Sequence, residues 1–247
     1  MRLMLIPLCG LFFLIATLYS MAGFGGGSSY LAVLVLAGFP YQSIAPVALA
    51  CNLIVSGTGF VNFYRAGYLK WKNVLPFAVL SVPMAYWGGS LPISKGLFSL
   101  LLGLSLIVVA FRMLFVPRPF EGRQSTPESQ VWKIGLPVGG VIGFLSGLVG
   151  IGGGIFLSPV LLLLGWANAK EAAAAASIFI FLNSAAGLLG HAGKAAVDLN
   201  RLWPLALAVF WGGHIGSRMG SAHLPKKVLE RILAVLVLCA SYKLLRG

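Results

Sequence analysis

Acidic side chains are nearly missing from this chain: five Asp and Glu in 247 residues. Charged residues of both signs make up 9%, against roughly a quarter in soluble domains. A soluble helical protein needs polar outer faces, and there are too few charges here to build them. Three cysteines, Cys9, Cys51 and Cys239, lie in or beside apolar sequence. They lack the spacing of a metal site or redox pair and read as small buried hydrophobes. Histidine is also scarce, at three residues. No nucleotide cradle is present either. "GLLGHAGKA" (187–195) has one residue too many between its glycines and Ala195 where a P-loop needs Ser or Thr for Mg²⁺.

What fills the chain is apolar: 59% hydrophobic residues and a mean hydropathy of +0.94. A bilayer-spanning helix needs about 20 mainly apolar residues, and seven or eight stretches approach that length. The expected class is an all-α polytopic membrane protein. The formal charge of +13 would suggest nucleic acid in a soluble protein. Here the basic residues lie between apolar runs, as topology signals do, so no nucleic-acid partner is expected. Residues 1–22 resemble a signal peptide, but their counterpart at 134–150 cannot be cleaved, so 3–21 is read as a first membrane helix.

The counterpart belongs to a repeat. "GFGGG" (23–27) returns 127 residues later as "GIGGG" (150–154), and Gly38, Ala45 and Ala48 return as Gly165, Ala172 and Ala175. Two duplicated halves are expected, 1–116 and 133–247, joined by a polar linker at 117–132. Helices are expected at 3–21, 27–38, 42–64, 74–91 and 96–115, then at 133–149, 154–164, 168–190, 201–220 and 227–245. If the short second element of each half is re-entrant, each half spans four times and the repeats are parallel. If it crosses, each half spans five times and they are inverted. Charge counting does not separate the two.

Backbone that leaves helical geometry inside hydrocarbon must be satisfied by protein or by a watery cavity. Paired breaks in corresponding places of two halves point to a transporter's substrate site, and helix N-termini there favour anions. Candidate substrate-binding residues are therefore Gly25, Gly26, Gly27 and Ser28 with Gly152, Gly153 and Gly154. Asn52, Ser56, Ser177 and Asn183 join them as neutral donors on the helices that follow. His191 and His214 could carry a proton, and Arg218, set among glycines, could be a counter-charge to the anion. Glu171 reads as a helix cap. Gly135, Gly139 and Gly143, spaced four apart, read as close helix packing.

The two glycine blocks, the small-residue segments "SIAPVALACN" and "EAAAAASIFI", the turns "GYLKW" and "AVDLN", and a late "LP" before a final helix resemble the TauE/SafE family of membrane transporters, the sulfite exporter group. The likeness covers nearly the whole chain. It implies a secondary transporter, by expectation an exporter, of small sulfur-containing anions such as sulfite or organosulfonates. The setting would be the cytoplasmic (inner) membrane of a bacterial-type cell. Two positions depart from the family pattern. Its Thr-Ser pair is Leu49-Ala50 in one half and Ala176-Ser177 in the other, and the acid of its turn is Lys70 in one and Asp198 in the other. These departures imply that the two halves touch the substrate differently.

An anion channel is the alternative, since pores also use rings of donors. An intramembrane hydrolase built on Ser146 of "FLSG" with His191 or His214 is a more remote one, and no enzyme is expected. No cofactor or metal is called for. The expected partners are the sulfur oxyanion or sulfonate, membrane lipids and, at most, a second copy of the chain as a homodimer.

Overall fold

The computed structural model describes residues 2–115, 127–192, 194, 199–222 and 242. The expected helix at 227–245, linker residues 117–126, Asp198, Cys239 and the "LP" at 224–225 lie outside the described residues. Nine α-helices follow in order among those described: α1 (Arg2–Ser20), α2 (Gly27–Leu36), α3 (Tyr41–Arg65), α4 (Leu75–Ser90), α5 (Lys95–Phe115), α6 (Glu128–Val149), α7 (Gly154–Leu163), α8 (Ala169–His191) and α9 (Leu199–Ala222). A single 3₁₀ turn, Trp71–Asn73, precedes α4. Helix α6 begins five residues before the expected 133, because Pro127 at the N-cap sets a helix-entering φ of −56°.

Among the described residues, three stretches are both long and apolar enough to cross a bilayer: Tyr41–Arg65, Ser129–Val149 and Ala169–His191. Helices α1, α5 and α9 run for 19, 21 and 24 residues. Several apolar runs fold into helices that stop early, such as the 16-residue α4. Helices α2 and α7 have ten residues each, about 15 Å of rise against a hydrocarbon core of about 30 Å. Neither can cross alone. All of Gly27–Val35 in α2 is buried, so this short helix is wrapped in protein.

Helices α3 and α8 pack against each other at the centre, with α9 against α3 and α4 against α8. Outside these, α1 packs on α9 and α6 on α4. These last two contacts are close because glycine lines them. A side chain at Gly139, Gly143 or Gly147 of α6 would overlap the backbone oxygens of Phe77, Ser81 and Ala85 on α4. At Gly212, Gly216 or Gly220 of α9 it would overlap those of Phe13 and Thr17 on α1 and of Met21 just beyond it. Gly135 meets Pro76 in the same row, so the packing role expected for this series is what the helices use.

Apolar side chains fill the interior and also cover the outside. Phe12, Leu31, Phe77 and Phe179 are fully buried, whereas Phe111, Val141, Leu163, Leu189 and Trp203 are exposed. In water such a surface would be an association hazard; in lipid it is the ordinary exterior. The chain is a multi-pass helical membrane protein.

Candidate functional site

Both glycine blocks break the chain where the sequence places the breaks. Helix α1 ends at Ser20, and Phe24 N–H donates back to Tyr19 O at 2.9 Å. Gly26 then caps α2 with φ 88°. Helix α6 ends at Val149, and Gly153 caps α7 with φ 81°. Both caps are left-handed, a conformation that glycine alone adopts without strain. Neither cap has a side chain to accept from the first-turn amides, so those N–H groups carry their partial positive charge uncapped.

The two breaks meet. A cavity of ≈ 10 Å³ lies between them, bounded by Tyr19, Phe24 and Gly25–Ser28 on one side and by Ile151, Ile155 and Ile180 on the other. It has room for about one water molecule. Asn52 of α3 is fully buried beside it. Its Nδ2 donates to Ile151 O at 3.1 Å, and its Oδ1 has no partner among the described residues. A side chain on Gly25, Gly27 or Gly152 would strike the Asn52 amide, so the glycines let one amide reach both breaks. Ile180 of α8 stands opposite, against Gly25, Gly152 and Gly154. Nearby, the Tyr19 and Ser29 hydroxyls share a hydrogen bond of 2.8 Å, while the buried Tyr30 hydroxyl has no partner among the described residues.

The remaining sequence candidates are spread along the central helices. Ser56 Oγ donates to Asn52 O at 2.6 Å and Ser177 Oγ to Ala174 O at 2.8 Å, both within their own helices. Asn183 accepts from Ser81 Oγ at 2.7 Å and donates to Phe179 O at 2.9 Å, which ties α8 to α4. His191 Nε2 donates to Gly147 O at 2.9 Å, and Ser146 Oγ has no partner among the described residues. No Ser–His pair forms there. His214 stacks on Phe210 with ring centroids 6.2 Å apart. Arg218 is exposed one turn further along α9, and none of these three basic residues lines the cavity.

A second polar cluster lies about nine residues toward the N-terminus of α8 from Ile180, roughly 13 Å along the helix at 1.5 Å per residue. Glu171 and Asn168 form a capping box, the cap expected from sequence, and Glu171 also holds an ion pair with Lys70. Lys170 Nζ donates to Tyr68 O–H at 3.0 Å and lies 4.9 Å from its ring centroid. Two segments about a hundred residues apart are thereby clamped at one end of the bundle. Beyond the other end of α8, Lys194 Nζ donates to Gly89 O at 2.5 Å, and partial burial pushes its ammonium pKa down.

Reading for polar groups passed over Ile151, Ile155 and Ile180. A signal was nonetheless present, since Ile151 and Ile155 stand 127 residues after Phe24 and Ser28. The Lys70–Glu171 pair left no such trace, because neither residue marks the other in sequence.

The model of the family described as sulfite exporter TauE/SafE matches residues 8–244. The chain is 38% identical over 235 residues to a probable membrane transporter protein, y4hK, of Sinorhizobium fredii, covering 95% of each. It is 28% identical to the probable membrane transporter protein YunE of Bacillus subtilis, covering 90% of this chain and 92% of that one. With the probable membrane transporter protein MJ0441 of Methanocaldococcus jannaschii the identity is 23%, over 98% of this chain and 97% of that one. No solved structure matches the chain.

Proposed function

The chain belongs to the sulfite exporter TauE/SafE family, and we propose that it is a secondary transporter that exports small sulfur-containing anions. Sulfite or organosulfonates would cross the cytoplasmic membrane by alternating access, without enzymatic chemistry. The observation that carries this reading is the small cavity between two uncapped helix N-termini. Helix dipoles and first-turn amides stabilise an anion there without a buried lysine or arginine. An inside-negative potential contributes about 2.3 kcal/mol per charge per 100 mV to anion export.

We infer further that the halves are a duplication. Gly26 and Gly153, at the 127-residue offset, cap α2 and α7 in the same left-handed conformation. The pairs Phe24/Ile151 and Ser28/Ile155 keep that offset, and all four line one cavity. The contacts α1–α9 and α6–α4 each join the first helix of one half to the fourth of the other. In this reading Gly25–Ser28, Asn52 and Gly152–Gly154 form the binding region. Ser56, Ser177 and Asn183 are engaged within the helix frame, and the substrate would reach them only after rearrangement.

Purified protein in liposomes, loaded with sulfite or an alkanesulfonate and given an inside-negative potential, should release the anion at a rate that saturates with concentration. Counterflow should accelerate it, which a channel would not show. Absence of flux for every sulfur anion, with the protein folded, would refute the assignment. Repeating the assay across an imposed pH gradient, with His191→Gln, His214→Gln and Arg218→Gln in turn, reads whether any of these couples a proton or attracts the anion.

A further inference from the structure

The two walls of the cavity differ in chemistry. One carries the first turn of α2, with Gly27 and the Ser28 hydroxyl. The rest of the lining is Ile155, Ile180 and Ile151, the last with its backbone oxygen toward Gly27 and bonded by Asn52. Ile155 stands in the first turn of α7 as Ser28 stands in the first turn of α2. Where one break offers a hydroxyl, its counterpart offers a branched hydrocarbon.

A bare oxyanion exposes acceptor oxygens on several sides, and each needs a donor once water is removed. Sulfite seated in this cavity would turn at least one oxygen toward the isoleucines. An anion with a short alkyl group avoids that conflict: its charged head meets α2 and its hydrocarbon meets the isoleucines. We propose that Ile155, with Ile151 and Ile180, forms a specificity wall that selects an anion bearing a short apolar group over a bare inorganic oxyanion. The head then faces Ser28 and the N-terminus of α2. This rests on the reading of the cavity as an anion site, and it adds an orientation and a determinant of choice. Since the space holds about one water, the wall must withdraw to admit the ligand.

The test uses the full chain in liposomes. Uptake of labelled ethanesulfonate is competed with unlabelled ethanesulfonate, sulfite (kept anaerobic) or nitrate, a bare oxyanion of single charge. Wild-type protein should prefer ethanesulfonate to both inorganic ions. Ile155→Ser places a hydroxyl on the second wall and should shift the preference toward the inorganic ions by about tenfold or more, the scale on which one polar contact discriminates. Ile155→Ala adds space but no donor and should keep the organic preference. Equal or stronger competition by sulfite and nitrate in wild type overturns the specificity wall while leaving the anion site standing. So does a folded Ile155→Ser protein with an unchanged ratio. The wild-type ratio decides the matter even where Ile155→Ser fails to fold. No uptake of any anion by folded wild-type protein overturns the anion site, and this inference with it.

Discussion

Asn52 on α3 donates through Nδ2 to the backbone oxygen of Ile151, at 3.1 Å and across 99 residues of sequence. That one amide ties the second glycine break to α3, the long central helix of the first half. Replacing it by alanine leaves the Ile151 oxygen without its donor, a loss of about 1–3 kcal/mol for a buried group. Asn52→Ala should therefore lower thermal stability in detergent and also raise the apparent KM for the transported anion. Unchanged melting and transport would show that the amide holds neither the break nor the site.

Asn183 should behave differently. Its amide is satisfied by Ser81 and by Phe179 O, so Asn183→Ala strands the Ser81 hydroxyl and costs about 1–3 kcal/mol of stability. The folded fraction should transport with a KM close to wild type. A severalfold rise in KM with unchanged melting would place this amide at the substrate in another state of the cycle.

Gly26 and Gly153 are left-handed caps, where an L-residue costs roughly 1–2 kcal/mol. At Gly26 a side chain also meets the Tyr30 ring, and at Gly153 it meets Ile142. Alanine at either position should reduce the folded yield and abolish flux. Alanine at Gly10 or Gly96, where nothing lies within 4 Å, should be neutral or slightly stabilising through helix propensity. Size-exclusion profiles and melting temperatures of the four variants check the contrast.

The Lys70–Glu171 pair is unequal: the Glu171 side chain is 7% exposed and that of Lys70 30%. Lys70→Met removes the counter-charge of a buried carboxylate, which keeps its capping-box bond from Asn168 N–H, whereas Glu171→Gln leaves a part-exposed ammonium within reach of water and keeps a residue able to complete the capping box. Lys70→Met should therefore lower stability more than Glu171→Gln, by about 1–3 kcal/mol, discounted from fully buried pairs because Lys70 is part-exposed. A double-mutant cycle measures the coupling. Equal losses would mean that the pair is held too loosely to clamp the bundle.

Most of the helical layout was legible in the chain itself. Breaks at 23–27 and 150–154, short helices starting at Gly27 and Gly154, and glycine packing at Gly135, Gly139 and Gly143 follow from local properties. Glycine reaches left-handed dihedrals, apolar runs form helices, and small residues let backbones approach. Those effects act within a few residues, so composition and spacing reveal them. Only the tertiary structure decided which polar groups stand free and which are engaged. Asn52 and Asn183 look alike in sequence, yet one has an amide between both breaks whose oxygen is unpartnered among the described residues, and the other is satisfied by Ser81, 102 residues away. The isoleucine wall and the Lys70–Glu171 clamp arise in the same way, from segments that meet only when the helices pack together. Hydrogen-bond satisfaction and desolvation depend on neighbours in space, and no local pattern encodes which distant backbone or side chain those neighbours will be.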